Sequence, residues 1–136
     1  MKKMNVIVIF NKEKKNTLMC KRTKEPYMGM YNLVGGKIET DNDGLNEAYR
    51  ELEEETNIKK EDVDLTYFMD LSYVKWSKML EVYYGVLNKE VELVEEVNEL
   101  EWVPIDDNFF DMTRYAGEGN IGHIIEEIKI DLSKTE

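Results

Sequence analysis

The sequence predicts a single mixed α/β domain of the α+β kind, in which one mixed β-sheet carries helices on its faces. Three observations lead there. The chain has 136 residues, enough for one domain. Apolar residues make up 42%, which supports a core and excludes a disordered chain. Extended and helical patterns follow one another as β-β-β-α-β-β-β-α, an order that builds a layered sheet.

Each element has a local reason. Residues 5–10 form a β-branched run and residues 17–21 a second short one, with the polar segment 11–16 between them as a hairpin loop. Residues 22–30 contain Pro26 and Gly29 and read as an irregular loop. Residues 31–34 are briefly extended and stop at Gly35-Gly36. From residue 43 to 56 the pattern turns helical, with Asp43 as N-cap and Asn57 as a left-handed C-cap. Residues 63–73 and 78–87, rich in aromatic and β-branched types, read as strands joined by a turn at 74–77. Residues 88–96 are acidic and fit no single pattern. Residues 100–103 make a last short strand ended by Pro104, and 106–112 a single helical turn. In the final helix Ile121, Ile124, Ile125 and Ile128 recur at helical spacing as a core-facing stripe, and His123 lies off it.

Composition limits the partners. The formal net charge of −11 repels duplex nucleic acid and anionic lipid, so neither is expected as a partner. Cys20 stands alone, so no internal disulfide and no structural zinc set is expected. No apolar run approaches the roughly 18 residues of a membrane span, and the basic start lacks a signal h-region. The expected setting is cytoplasmic.

The first helix carries the chemistry. At about 100° per residue, Glu47, Glu51, Glu54 and Glu55 share one face with Arg50 beside them, while Leu45, Ala48, Tyr49 and Leu52 share the other. Like charges at i,i+3 and i,i+4 cost a few tenths of a kcal/mol each in an exposed helix, and no lysine interrupts them. Such convergent carboxylates suit a hard divalent cation, with the planar fork of Arg50 orienting part of the strip. Upstream, Gly35-Gly36-Lys37 permits close backbone approach to a ligand, and Lys37 is placed to meet a phosphate.

These residues resemble a known pattern. Gly36 followed at the right distance by Arg50-Glu51-Leu52-Glu53-Glu54-Glu55-Thr56-Asn57-Ile58 is similar to the Nudix box, Gly-x5-Glu-x7-Arg-Glu-U-x-Glu-Glu-x-Gly-U with U aliphatic. Two positions depart from it: Asn42 replaces the first Glu, and Asn57 replaces the Gly. The resemblance implies the Nudix fold, a mixed β-sheet sandwiched between α-helices, and a MutT-like pyrophosphohydrolase using Mg²⁺ or Mn²⁺.

It further implies metal ligation by Glu51, Glu54, Glu55 and the Gly36 carbonyl. Glu96 adds a carboxylate from outside the box, with Glu95 and Glu99 as rivals. Catalytic roles fall to Glu51, Glu54 and Arg50, with Glu51 the expected water activator. Tyr31-Asn32-Leu33-Val34-Gly35-Gly36-Lys37 resembles the Trp-Asn-Gly-x-Gly-Gly-Lys of oxidised-purine-nucleotide hydrolases, where the Asn pairs with the base. The substrate-binding candidates are Asn32, Arg22, Lys37 and Tyr115, the last as a stacking ring. The expected substrate is a small nucleotide, a nucleoside triphosphate cut to monophosphate and pyrophosphate, a reaction suited to nucleotide-pool sanitation. The alternatives are another nucleoside-diphosphate-linked compound, such as an NDP-sugar or ADP-ribose, or a catalytically weakened binding module. The expected assembly is a monomer or homodimer.

Overall fold

The computed structural model describes residues 2–38, 43–74, 77–96 and 98–134. Its elements run β1 (Lys2–Phe10), β2 (Asn16–Lys21), β3 (Tyr31–Asn32), α1 (Gly44–Thr56), β4 (Thr66–Tyr73), β5 (Lys78–Val86), β6 (Glu99–Pro104) and α2 (Asn120–Lys134). Among the described residues six strands make one mixed sheet, in the order β3-β2-β1-β5-β4 with β6 on β2.

β1 is the spine of the sheet. It pairs in parallel with β5 from Lys2↔Lys78 to Phe10↔Val86, and β4 lies antiparallel outside β5. Alternate residues of β1 enter two different cores. Val8 and Phe10 pack with Val82, Tyr84 and the α2 isoleucines 121, 124, 125 and 128. Ile7 and Ile9 pack with Leu18, Tyr83 and the α1 residues Ala48 and Leu52. A strand covered on both faces has no polar alternation, which accounts for the unbroken Val-Ile-Val-Ile-Phe run. Each such side chain contributes roughly 1.5–3 kcal/mol by burial. The architecture is the helix–sheet–helix sandwich expected of the sequence.

The other edge of β1 is divided. Its end meets β2 at Phe10↔Thr17, after which the two strands part. Residues 34–38 fill the opening: Ile7 N–H donates to the Val34 carbonyl, Asn5 N–H to that of Gly36, and Ile38 N–H to that of Lys3, at 2.8, 2.8 and 3.0 Å. The glycine pair is thereby zipped to the central strand beneath α1.

Three expectations are corrected. β1 begins at Lys2, because residues 2–4 gain partners on β5 that local sequence does not reveal. Residues 60–62 form a 3₁₀ turn, Val63 makes only an isolated bridge to Leu87, and the strand starts at Thr66. Residues 106–112 make successive turns instead of a helical one. There Asn108 Oδ1 accepts Phe110 N–H and Asp111 Oδ1 accepts Thr113 N–H, and these side-chain bonds compete with helix. Residues 88–95 lack regular structure yet pack through Val91 and Leu93 on the α1-side core.

Candidate active site

α1 has defined ends. Asp43 Oδ1 accepts Leu45 N–H at 3.0 Å, and Asn57, at φ 68°, returns its N–H to the Glu53 carbonyl at 2.9 Å. Ala48 and Leu52 are fully buried, which fixes the helix rotation and turns the charged face away from the sheet core. Arg50 gathers that face. Its Nη2 stands 2.7 Å from Glu47 and 3.4 Å from Glu51, and its Nη1 stands 2.9 Å from Glu54. Bonds to Glu47 and Glu54 hold the guanidinium above its usual range, so it stays charged. Glu47 and Glu51 are 15% exposed at the side chain against 58% for Glu54, so the strip grades from sheltered to open.

Glu55 adjoins Glu51. Burial first, and then the neighbouring Glu51 charge, push its carboxyl from 4.5 up to about 7, against the opposing pull of the nearby Gly35 backbone N–H. Gly36 faces the same group: a Cβ there would lie 2.8 Å from Glu51 Cδ. Glu51, Glu55 and the glycine pair are therefore one cluster. Among the described residues no three Asp, Glu, His or Cys side chains stand as a ready metal cage. The donor chemistry nonetheless suits a hard divalent cation, since it is all oxygen and its carboxylates are pressed together. Glu51, Glu54 and Glu55 would hold it, with Glu54 exchanging its bond to Arg50.

The other expected positions are distributed as follows. The Gly36 carbonyl already accepts Asn5 N–H. Glu96 is exposed on the segment whose Val94 N–H donates to Thr56 at the end of α1, at 3.1 Å. Its rival Glu95 accepts Leu100 N–H at 2.7 Å. Asn42 lies outside the described residues.

A cleft of about 330 Å³ opens beside Gly35 on the α2 side of the sheet. Met4, Val6, Leu33 and Leu80 contribute apolar lining, and Arg22, Asn32, Tyr73, Lys78 and Glu118 contribute polar groups. Arg22 and Asn32 are thus brought together. Asn32 Oδ1 accepts Leu33 N–H at 2.9 Å, and Arg22 Nε donates to the Pro26 carbonyl at 2.7 Å. Lys37 is exposed, bridges Met4 through its backbone and does not line the cleft.

Tyr115 is a correction. It is 1% exposed, sits against Phe109 and Tyr31, and bonds Asp107 through its hydroxyl, so it has no free face for a base. A second hollow of about 380 Å³, lined by Phe10, Ile105, Lys129 and Leu132, holds none of the site residues.

A family model described as NUDIX domain matches residues 1–123. The chain belongs to the NUDIX family. Solved structures of other Nudix proteins share the fold at low identity. The NUDIX domain of Shewanella oneidensis NrtR, solved with ADP ribose, is 16% identical with a TM-score of 0.75, covering 96% of this chain and 87% of that one. A C. elegans Ap4A hydrolase is 20% identical with a TM-score of 0.75, covering 98% and 99%. The E. coli dihydroneopterin triphosphate pyrophosphohydrolase is 17% identical with a TM-score of 0.74, covering 95% of each. No curated protein sequence matches this Nudix chain significantly.

Sequence reading missed Asn5, Tyr27, Tyr73, Lys78 and Glu118 around the cleft. Asn5 did carry a signal, as the one polar residue entering an otherwise apolar strand run. The rest come from loops and strand ends far apart in the chain and carried none.

Proposed function

We propose that this Nudix chain hydrolyses a nucleoside triphosphate to monophosphate and pyrophosphate on the α1 strip, with Mg²⁺ or Mn²⁺. The observation that carries this is the double role of Gly35. Its backbone N–H lies near enough to Glu55 of the strip to favour the carboxylate, and the same residue lines the cleft. A nucleoside in the cleft therefore directs its phosphates past the glycine pair onto the carboxylates.

A polyphosphate cannot approach four carboxylates without cations between them. A divalent ion held by Glu51, Glu54 and Glu55 would offset phosphate and leaving-group charge and would acidify the attacking water. The chain's own residues do the rest. Glu51, sheltered and beside Gly36, takes the proton from water. Arg50 positions Glu47, Glu51 and Glu54 by its fork. Glu54 and Glu55 complete the cation site, and Glu96 reaches it from the segment crossing the end of α1. Arg22 at the cleft rim and Lys37 beyond it attract the phosphate tail. The setting is the cytoplasm; among the described residues no helix is long and apolar enough to cross a membrane.

The test is incubation of the purified protein with a panel of NTPs and dNTPs and Mg²⁺, with product identification. Monophosphate and pyrophosphate are expected, and Glu54→Gln should lower the rate by about two orders of magnitude or more. Cleavage of NDP-sugars or ADP-ribose alone would remove the triphosphate claim. Nucleotide binding without turnover would make the chain a binding module.

A further inference from the structure

Basic side chains are the minority in this chain, 18 against 29 acidic ones, yet two of them are set opposite each other in the sheet. Lys2 on β1 is the in-register partner of Lys78 on β5. Residues paired in this way share a face, and like charges opposite each other weaken the pairing. Alternation along the strands fixes which face it is. Met4 and Leu80 are the next pair on that side, and both line the cleft, as does Lys78. Lys2 therefore extends the cleft floor beyond Met4. Lys37 stands at the rim from the other edge of β1, bridged to Met4. Lys2, Lys37 and Lys78 are exposed, and none has a carboxylate partner among the described residues.

The rest of the cleft gives this group a purpose. Arg22 lines the side away from Lys78, across the 34–38 segment and β1. Met4, Val6, Leu33 and Leu80 lie between, so an apolar floor separates two cationic ends. The carboxylate of the lining, Glu118, accepts the Tyr27 hydroxyl at 3.2 Å. Asn5 N–H holds the Gly36 carbonyl, and Lys2 follows three residues further down β1, roughly 10 Å away. The long lysine side chains shorten that gap. In a nucleotide with its 5′ phosphates at the glycine pair, the 2′ and 3′ oxygens project from the other side of the ribose, within the range of these amines.

We propose that Lys2 and Lys78, with Lys37 at the rim, form a second anion subsite that takes a phosphate on the 2′ or 3′ oxygen of the bound nucleotide. The ligand class is a nucleotide phosphorylated on both sides of its ribose. The net charge of −11 disfavours any added phosphate elsewhere, so the preference is local to these amines. This rests on the nucleotide reading of the cleft and deepens it by naming a second phosphate.

The experiment titrates the intact protein by calorimetry, without added metal, with AMP, GMP and the 2′,5′- and 3′,5′-bisphosphates of both nucleosides. It is repeated for the double variant Lys2→Gln/Lys78→Gln, in which both replaced side chains are exposed and whose folding a thermal melt checks. In the native protein at least one bisphosphate should bind about 10-fold or more tighter than its monophosphate, and added salt should narrow the gap. The tighter arm shows which oxygen carries the group. In the double variant the ratio should fall below about 3, while Lys2→Arg/Lys78→Arg, which keeps both charges, should stay above it. Bisphosphates binding the native protein no tighter than monophosphates overturn the inference, and so does an unchanged ratio in the glutamine variant; the first needs no variant. In both cases nucleotide binding itself stands. Binding of none of these nucleotides overturns the inference together with the nucleotide reading.

Discussion

The Glu51 carboxylate occupies the place where a side chain on Gly36 would begin, with its Cδ 2.8 Å and its oxygens 2.9 Å from that position. The obstructing group is the flexible end of a side chain, so Gly36→Ala is accommodated by moving Glu51. The expected outcome is a melting temperature within a few degrees of native and kcat lower by about 10²-fold. Gly35→Ala should do the reverse. A Cβ there would stand 2.1 Å from the Asn5 carbonyl oxygen, at a φ of 151°, so the backbone itself must yield. Urea unfolding should show a loss of about 3 kcal/mol or more. Equal stability of the two variants would refute the assignment.

Arg50 contributes geometry more than charge. One guanidinium contacts Glu47, Glu51 and Glu54 at once, and an ammonium cannot span that fork. Arg50→Lys keeps the net charge and is expected to cut kcat by at least about 10-fold with little change in melting temperature, since the ion pairs are partly solvated. Steady-state kinetics beside thermal unfolding checks this, and native-like turnover would show that charge alone suffices.

The helix was readable in advance because everything that defines it is local. Asp43 and Asn57 lie at its ends, Ala48 and Leu52 recur at helical spacing, and Glu47, Arg50 and Glu54 are one turn apart. The parallel partner of Lys2 lies at Lys78, and no local pattern announces such a pairing. Tyr115 shows the same limit in the site. An aromatic in a polar loop looks available for stacking, and only its burial against Phe109, Tyr31 and the Arg114 guanidinium closes it off. The cleft joins residues from β1, β5 and two loops, so its membership became visible only in the fold.

Proton binding should report on the strip. Burial and Glu51 lift Glu55 from 4.5 to about 7, so between those values the folded chain holds a proton that the unfolded chain releases. Unfolding free energy of the metal-free protein should therefore fall as pH rises through this window, by at most about 3 kcal/mol before solvent screening is discounted. Glu55→Gln should flatten the slope and unfold at higher urea than native at pH 8. A divalent ion must displace the same proton, so Mg²⁺ binding should tighten as pH rises toward 7 and above. Urea titrations at several pH values decide the first point, and a native slope that is flat or rising would contradict it.

Asn5 supports the glycine pair from below. Its Oδ1 accepts Gly36 N–H at 2.9 Å, the residue is 2% exposed, and its Nδ2 has no partner among the described residues. The carbonyl half of the amide stabilises the turn, while the unpaired NH₂ half carries a desolvation cost. Asn5→Ala removes both and strands Gly36 N–H, for an expected loss of about 1–3 kcal/mol. Asn5→Asp keeps an acceptor for Gly36 but brings a carboxylate next to Glu81, its parallel neighbour on β5. Burial and that like charge raise the new group's pKa, so the variant should be close to native at pH 5 and progressively weaker toward pH 8. Urea unfolding of both variants at the two pH values separates the roles. An Asn5→Asp protein equally stable at both would show that this buried position tolerates charge and that the amide is not held as described.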